Sequence, residues 1–156
     1  MINIDIAKGL VFQKLGIEQY DKVLCHKKIF LLQSLGVDLG YYFNWWTLGP
    51  LSPALEDDLD QNFNMFSSYD CSQHRLLIDD KIEKVNSLEV NKPTNMSICY
   101  WYRLLASLLY IYNNKKGFGI DEKDEALIAI QQKYVPMHGE LECRIAIEEL
   151  RSKEFI

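Results

Sequence analysis

The sequence predicts a mainly α fold: a single helical domain over residues 1–156, with at most a small β-hairpin. Apolar residues recur at helical spacing along most of the chain, enough for about seven helices. Glycines and prolines such as Gly16, Gly36 and Pro93 fall between those runs. The most apolar stretch, Ile98 to Tyr112, reads as a central core helix; it contains Arg103 and is too short to span a bilayer.

Taken in order, Ile4, Ala7, Val11 and Leu15 share one face of a first helix, which Gly16 ends. A second helix runs from near Asp21 to Leu35, and Gly36 stands where a left-handed C-terminal cap forms, since glycine has no Cβ to clash there. Val37 to Leu48 reads as an extended, aromatic-rich connection. Ser52 caps a third helix with Pro53 at its first position, and Leu55, Leu59, Phe63 and Phe66 carry it to about Phe66. Ser67 to Gln73 is a polar loop, and Arg75 to Ile78 reads as a short strand of the kind a wing would supply. Asp80-Lys81-Ile82-Glu83 resembles a capping box opening a short helix through Ile82, Val85 and Leu88. The central helix covers about Ser97 to Asn113, and Lys115 to Gly119 forms a turn. Asp121 is a good N-cap for a helix through Tyr134, and a last helix runs from Glu140 to about Lys153.

The balance of 17 basic and 22 acidic residues leaves a net charge of −5, which repels nucleic-acid backbones at long range. No secretory leader is evident in Met-Ile-Asn-Ile-Asp-Ile-Ala-Lys, so Cys25, Cys71, Cys99 and Cys143 are expected as free thiols in a reducing cytoplasm. Catalytic signatures are missing: there is no G-x-S-x-G, glycine-rich phosphate loop or H-E-x-x-H, and His26, His74 and His138 lie in unrelated segments. Cys25 and His26 are adjacent on a helix and point about 100° apart, so they form no dyad. Cys71-x-x-His74 is half a zinc site without its other half. No metal, cofactor or catalytic residue is therefore expected, and an enzyme acting on nucleotides is a distant third reading.

One surface stands out. Tyr41 to Trp46 packs aromatics ahead of the Gly49-Pro50 turn, and the helix that follows carries Glu56, Asp57, Asp58 and Asp60 with no lysine, arginine or histidine. A DNA-reading helix needs cations to hold it against phosphates, and this one has the wrong sign. Trp45, Trp46, Gly49, Pro50, Ser52 and the acids Glu56, Asp57, Asp58 and Asp60 are accordingly the candidate protein-binding residues, with aromatics as anchors and carboxylates steering a basic partner. The plain reading of the acids is a solvated helix face, and that of the rings is core. His26-Lys27-Lys28 and Lys115-Lys116 read as ordinary surface charge. A winged-helix regulator, the second reading, needs Lys27, Lys28, Arg75, Lys81, Lys115 and Lys116 to converge on one face.

Lys27-Lys28-Ile29-Phe30-Leu31-Leu32-Gln33 followed by Leu48-Gly49-Pro50-Leu51-Ser52-Pro53-Ala54-Leu55 is similar to the "K-x-x-Y-F-x-Q" and "Y-G-P-Y-S-x-x-L" motifs of a bacterial superfamily. That superfamily includes YwgA-like proteins, Panacea (SocA-like) antitoxins and the C-terminal domain of DarG-type antitoxins. Trp101-Tyr102-Arg103-Leu104-Leu105-Ala106-Ser107 resembles the "W-x-x-L-L-A-S" central helix of the YwgA-like group, and Ala146, Leu150 and Phe155-Ile156 fit its ending. The chain departs from the pattern at Phe30, Leu48 and Leu51, where tyrosines are usual. The resemblance implies a helical fold with winged-helix character and a non-enzymatic antitoxin or adaptor of phage-defence type. It would be cytoplasmic and bind a protein such as a toxin or defence component encoded nearby, without membrane association and in preference to nucleic acid.

Overall fold

A computed structural model describes residues 4–70 and 76–156. Its elements are α1 (Ile4–Lys14), α2 (Lys22–Ser34), β1 (Asn44–Trp46), β2 (Gly49–Leu51), α3 (Pro53–Gln61), α4 (Phe63–Ser67) and α5 (Asp79–Ser87). The second half adds α6 (Ile98–Asn113), α7 (Lys115–Phe118), α8 (Asp124–Tyr134) and α9 (Glu140–Ser152). The fold is mainly helical, with one two-stranded antiparallel hairpin among the described residues.

The apolar run from Ile98 forms the axis of the molecule. Ser97 caps it, its hydroxyl accepting the Tyr100 N–H at 3.1 Å. Trp101, Tyr102, Leu104, Leu105, Ala106, Leu108, Leu109 and Ile111 are all buried, so the helix is covered on nearly every side. α2, α8, α9 and β2 pack around it. The two large rings at its start remain satisfied: the Trp101 indole N–H donates to the Leu88 carbonyl at 2.7 Å, and the Tyr102 hydroxyl to the Val85 carbonyl at 2.7 Å. α1 lies against α4, where Phe12 and Phe66 meet edge to face at 5.3 Å. No helix among the described residues is long and apolar enough to cross a membrane.

Several expectations need correction. The third helix does not run unbroken to Phe66 but stops at Asn62, whose side-chain amide turns back to donate to Asp58 Oδ1 at 2.9 Å. Asparagine offers the backbone such local alternatives and so interrupts helices. The hairpin lies inside the aromatic connection, not at Arg75 to Ile78; residues 76–78 form a turn and Arg75 lies outside the described residues. No capping box opens α5. Ile78 is its N-cap, and Asp79 Oδ2 accepts the Leu76 N–H at 3.1 Å. Asp121 likewise does not cap α8: its Oδ1 accepts the Lys123 N–H at 2.9 Å, and that turn delays the helix to Asp124. On α1 the buried residues are Gly9, Leu10, Val11 and Phe12, while Ile4 is exposed.

Candidate interaction surface

The candidate residues sit on a hairpin locked to α2 and on the helix α3 that follows it. At the end of α2, Gln33 organises the chain that leads into the hairpin: its Nε2 donates to the Tyr41 carbonyl at 2.9 Å, and its Oε1 accepts the N–H groups of Leu39 and Tyr41 at 3.2 Å each. β1 and β2 then pair with Asn44 opposite Leu51, Trp45 opposite Pro50 and Trp46 opposite Gly49. Strand alternation sorts the aromatics by face. Phe43 packs on Phe30 at 5.4 Å, and Trp45 on Tyr110, Phe118 and Tyr134 at 5.4, 5.8 and 6.0 Å between ring centres. Tyr42 and Trp46 turn the other way and are 75% and 49% exposed, with Leu48 at the loop also exposed.

The Gly49-Pro50 turn is clamped from beneath. Gly49 has φ +95°, and a Cβ there would lie 2.4 Å from Ser107 Oγ, so both conformation and space demand glycine. The Lys27 ammonium, 1% exposed, donates to the Pro50 carbonyl at 2.6 Å. Burial, and then the nearby Arg103 guanidinium, push the Lys27 pKa down to about 7. Lys28 is buried as well: its ammonium donates to the Leu15 carbonyl at 3.0 Å. His26 completes the set. The reading of these three residues as surface charge is therefore overturned, because α2 is covered by α3, α5, α6 and β2 and has little face left for solvent.

Ser52 links the hairpin to α3. Its hydroxyl accepts the Leu55 N–H at 3.3 Å, the expected N-cap, and its own N–H donates to His26 Nδ1 at 3.1 Å. An Nδ1 that accepts places the ring proton on Nε2, which donates to Glu56 Oε2 at 2.7 Å. Burial holds His26 below the usual histidine range, and the bond from His26, followed by that from Lys22, holds Glu56 below the usual carboxylate range. Lys22 also pairs with Asp60. Asp58 accepts from the Tyr41 hydroxyl at 2.5 Å, from Asn62 and from Lys8 at 3.2 Å. Burial pushes the Asp58 pKa up, but those three donors outweigh it and hold the group low.

The acidic row is thus mostly engaged within the chain. Glu56, Asp58 and Asp60 meet His26, Lys22 and Lys8, whereas Asp57 is exposed and has no ion-pair partner among the described residues. Gly49, Pro50, Ser52 and Glu56 belong to one latch with Lys27 and His26, Trp45 is an anchor, and Trp46 and Asp57 project outward. Tyr42 belongs to the aromatic stretch Tyr41 to Trp46, whereas Lys27 and Gln33 were not singled out from sequence as parts of this surface. The signal for both was the motif Lys27…Gln33 itself, which the structure ties to the Gly-Pro turn and to Tyr41.

Two of the cations a DNA-binding face would need, Lys27 and Lys28, are buried and make backbone contacts. Cys71 and His74 lie outside the described residues, and among those described no three His, Cys, Asp or Glu side chains converge as a metal site. Cys25 and Cys143 are buried free thiols, and burial pushes Cys25 up to about 12, which makes it inert. No family model matches the chain, and neither a curated protein nor a solved structure matches it.

Proposed function

We propose that this chain is a non-enzymatic, cytoplasmic interaction domain of antitoxin or phage-defence type that binds a basic protein partner through the outer face of its hairpin. The observation that carries the reading is the pair Trp45 and Trp46. One indole is wedged among Tyr110, Phe118 and Tyr134, and its neighbour is held half in solvent on the same rigid strand. A large apolar ring displayed on a pre-ordered support loses little conformational freedom on binding, which is what an interface anchor requires. Tyr42 and Leu48 extend the apolar face, and Asp57, on the helix that follows, supplies an exposed carboxylate with no ion-pair partner among the described residues. The resemblance of the Lys27…Gln33 and Gly49-Pro50 motifs to those of the antitoxin superfamily supports the same class. A winged-helix regulator is less well supported, since Lys27 and Lys28 are inside the protein.

The test is co-purification with the products of adjoining genes, followed by affinity measurement on two variants. Trp46→Ala should weaken the complex about 30-fold or more, as loss of a central aromatic does. Asp57→Lys should slow association at low salt and have little effect at high salt, the pattern of a steering charge. Asp58 is the wrong residue for that purpose, because it holds Tyr41 and Lys8 in place. Unchanged binding by both variants would refute this surface.

A further inference from the structure

A second site, independent of the hairpin, is a cavity of about 210 Å³ between the turn that joins α1 to α2, the first half of α2 and the start of α6. Lys28 lines it and is buried. The Lys28 ammonium donates to the Leu15 carbonyl at 3.0 Å and lies 5.3 Å from the centre of the Tyr102 ring. An ammonium has three N–H donors, and no carboxylate among the described residues pairs with this one. Glu18 and Asp21 line the same cavity, the first exposed and the second partly so. Neither makes an ion pair among the described residues, and Asp21, at the N-cap of α2, does not cap that helix with its side chain. The turn that carries them is braced: the Cys25 thiol and the Asp21 N–H both donate to the Glu18 carbonyl, at 3.2 and 3.1 Å. Leu24 and Ile98 add apolar wall, and the exposed Tyr20 belongs to the lining as well.

A buried cation without a paired anion is uncommon, because it has given up water with no opposite charge in exchange. This one borders a space that a ligand can enter. Drug-sized ligands fill about 300–1,000 Å³, so the cavity takes a smaller molecule. A plain anion would meet Lys28 but also two carboxylates, and a plain cation would meet those carboxylates but also Lys28. A small molecule with one charge of each sign and an apolar body matches the whole lining. Of the two acids, Asp21 is the one whose charge acts on Lys28 and Cys25 within the cavity. We propose that the cavity binds a free α-amino acid with an apolar side chain, its carboxylate on Lys28, its ammonium on Asp21 and its side chain against Leu24 and Ile98. A charge-assisted bond at each end makes recognition depend on both ends of the ligand.

The test is a calorimetric titration of the whole chain at neutral pH with L-alanine, L-valine, L-leucine and L-phenylalanine. At least one should bind saturably, with the backbone amide resonances of residues 16–25 shifting in step. For whichever binds most tightly, two derivatives follow: the N-acetyl form, which lacks the cation, and the amide, which lacks the anion. Each should bind about tenfold more weakly or worse. Lys28→Met should abolish binding. Asp21→Asn should weaken it about tenfold with the far-UV spectrum unchanged, since asparagine suits a helix N-cap as well as aspartate does. If Lys28→Met fails to fold, Asp21→Asn and the two derivatives decide alone. Saturable binding of none of the four, resonance shifts confined to other residues, full retention by either derivative, or full retention by a folded Lys28→Met or Asp21→Asn would each overturn the proposal.

Discussion

Lys27 shows how far a single side chain can depart from what its type suggests. Lysine is among the residues least often found inside proteins. Its burial here depends on a carbonyl 23 positions along the chain, and nothing local in His26-Lys27-Lys28 encodes that contact. The motif spacing between Lys27 and Gln33 was legible, but its physical role was not until the Gly-Pro turn lay over it. The placement has a measurable consequence. A lysine whose pKa falls from 10.5 to about 7 in the fold disfavours the folded state in its protonated form. That destabilisation is complete below pH 7 and is relieved as pH rises toward the unfolded value. The Lys27 contribution should therefore raise stability between pH 7 and 9, by at most about 1.4 kcal/mol per pH unit for one proton, opposed near pH 9 by Cys25 and Cys143, whose thiols burial keeps protonated in the fold. Urea midpoints at pH 7, 8 and 9 would measure it. Lys27→Met should flatten much of the rise, leaving a remainder from Lys28, whose pKa burial also lowers.

At the scale of elements, the helices were legible because their apolar residues repeat at 3.6-residue intervals over several turns. The central helix was expected at about Ser97 to Asn113 and spans Ile98–Asn113. The hairpin left no comparable signal: its strands are three residues each, and the loop Thr47-Leu48 lacks the Asn-Gly pattern of tight hairpins. What closes it is Gly49 with its positive φ, together with the proline opposite Trp45, which has no N–H to donate. Gly49→Ala should accordingly destabilise the fold by about 2 kcal/mol or more, combining a strained φ with a clash on Ser107. Ser107→Ala removes the atom the new methyl would strike, so the double variant should recover the steric part and keep the conformational part. Thermal melts of both single variants and the double variant supply the cycle. Full additivity would show that Ser107 is not the obstacle.

For the whole molecule, one domain was expected from length and apolar content, and α6 touches elements from both halves of the chain. Leu105, fully buried on it, is a probe of that arrangement. Leu105→Ala should cost about 2–5 kcal/mol and lower the melting transition as a unit, with far-UV circular dichroism and tryptophan fluorescence still coinciding. Two separated transitions would divide the chain into two folding units. The charge pattern was legible only as a sum. Composition reveals an excess of acid, but which carboxylates are spent internally depends on Lys8 and Lys22, which reach α3 from earlier helices. Among the acids of that helix, Asp57 and Asp60 are both exposed, and Asp57 alone has no ion-pair partner among the described residues. The indoles carry one last implication. The protein has 3 tryptophans, and they occupy three depths: Trp101 sealed, Trp45 half-covered by rings, Trp46 facing water. Iodide should therefore quench Trp46 ahead of the others, so that a ligand settling over the hairpin would announce itself as lost quenching and blue-shifted emission, with no label attached.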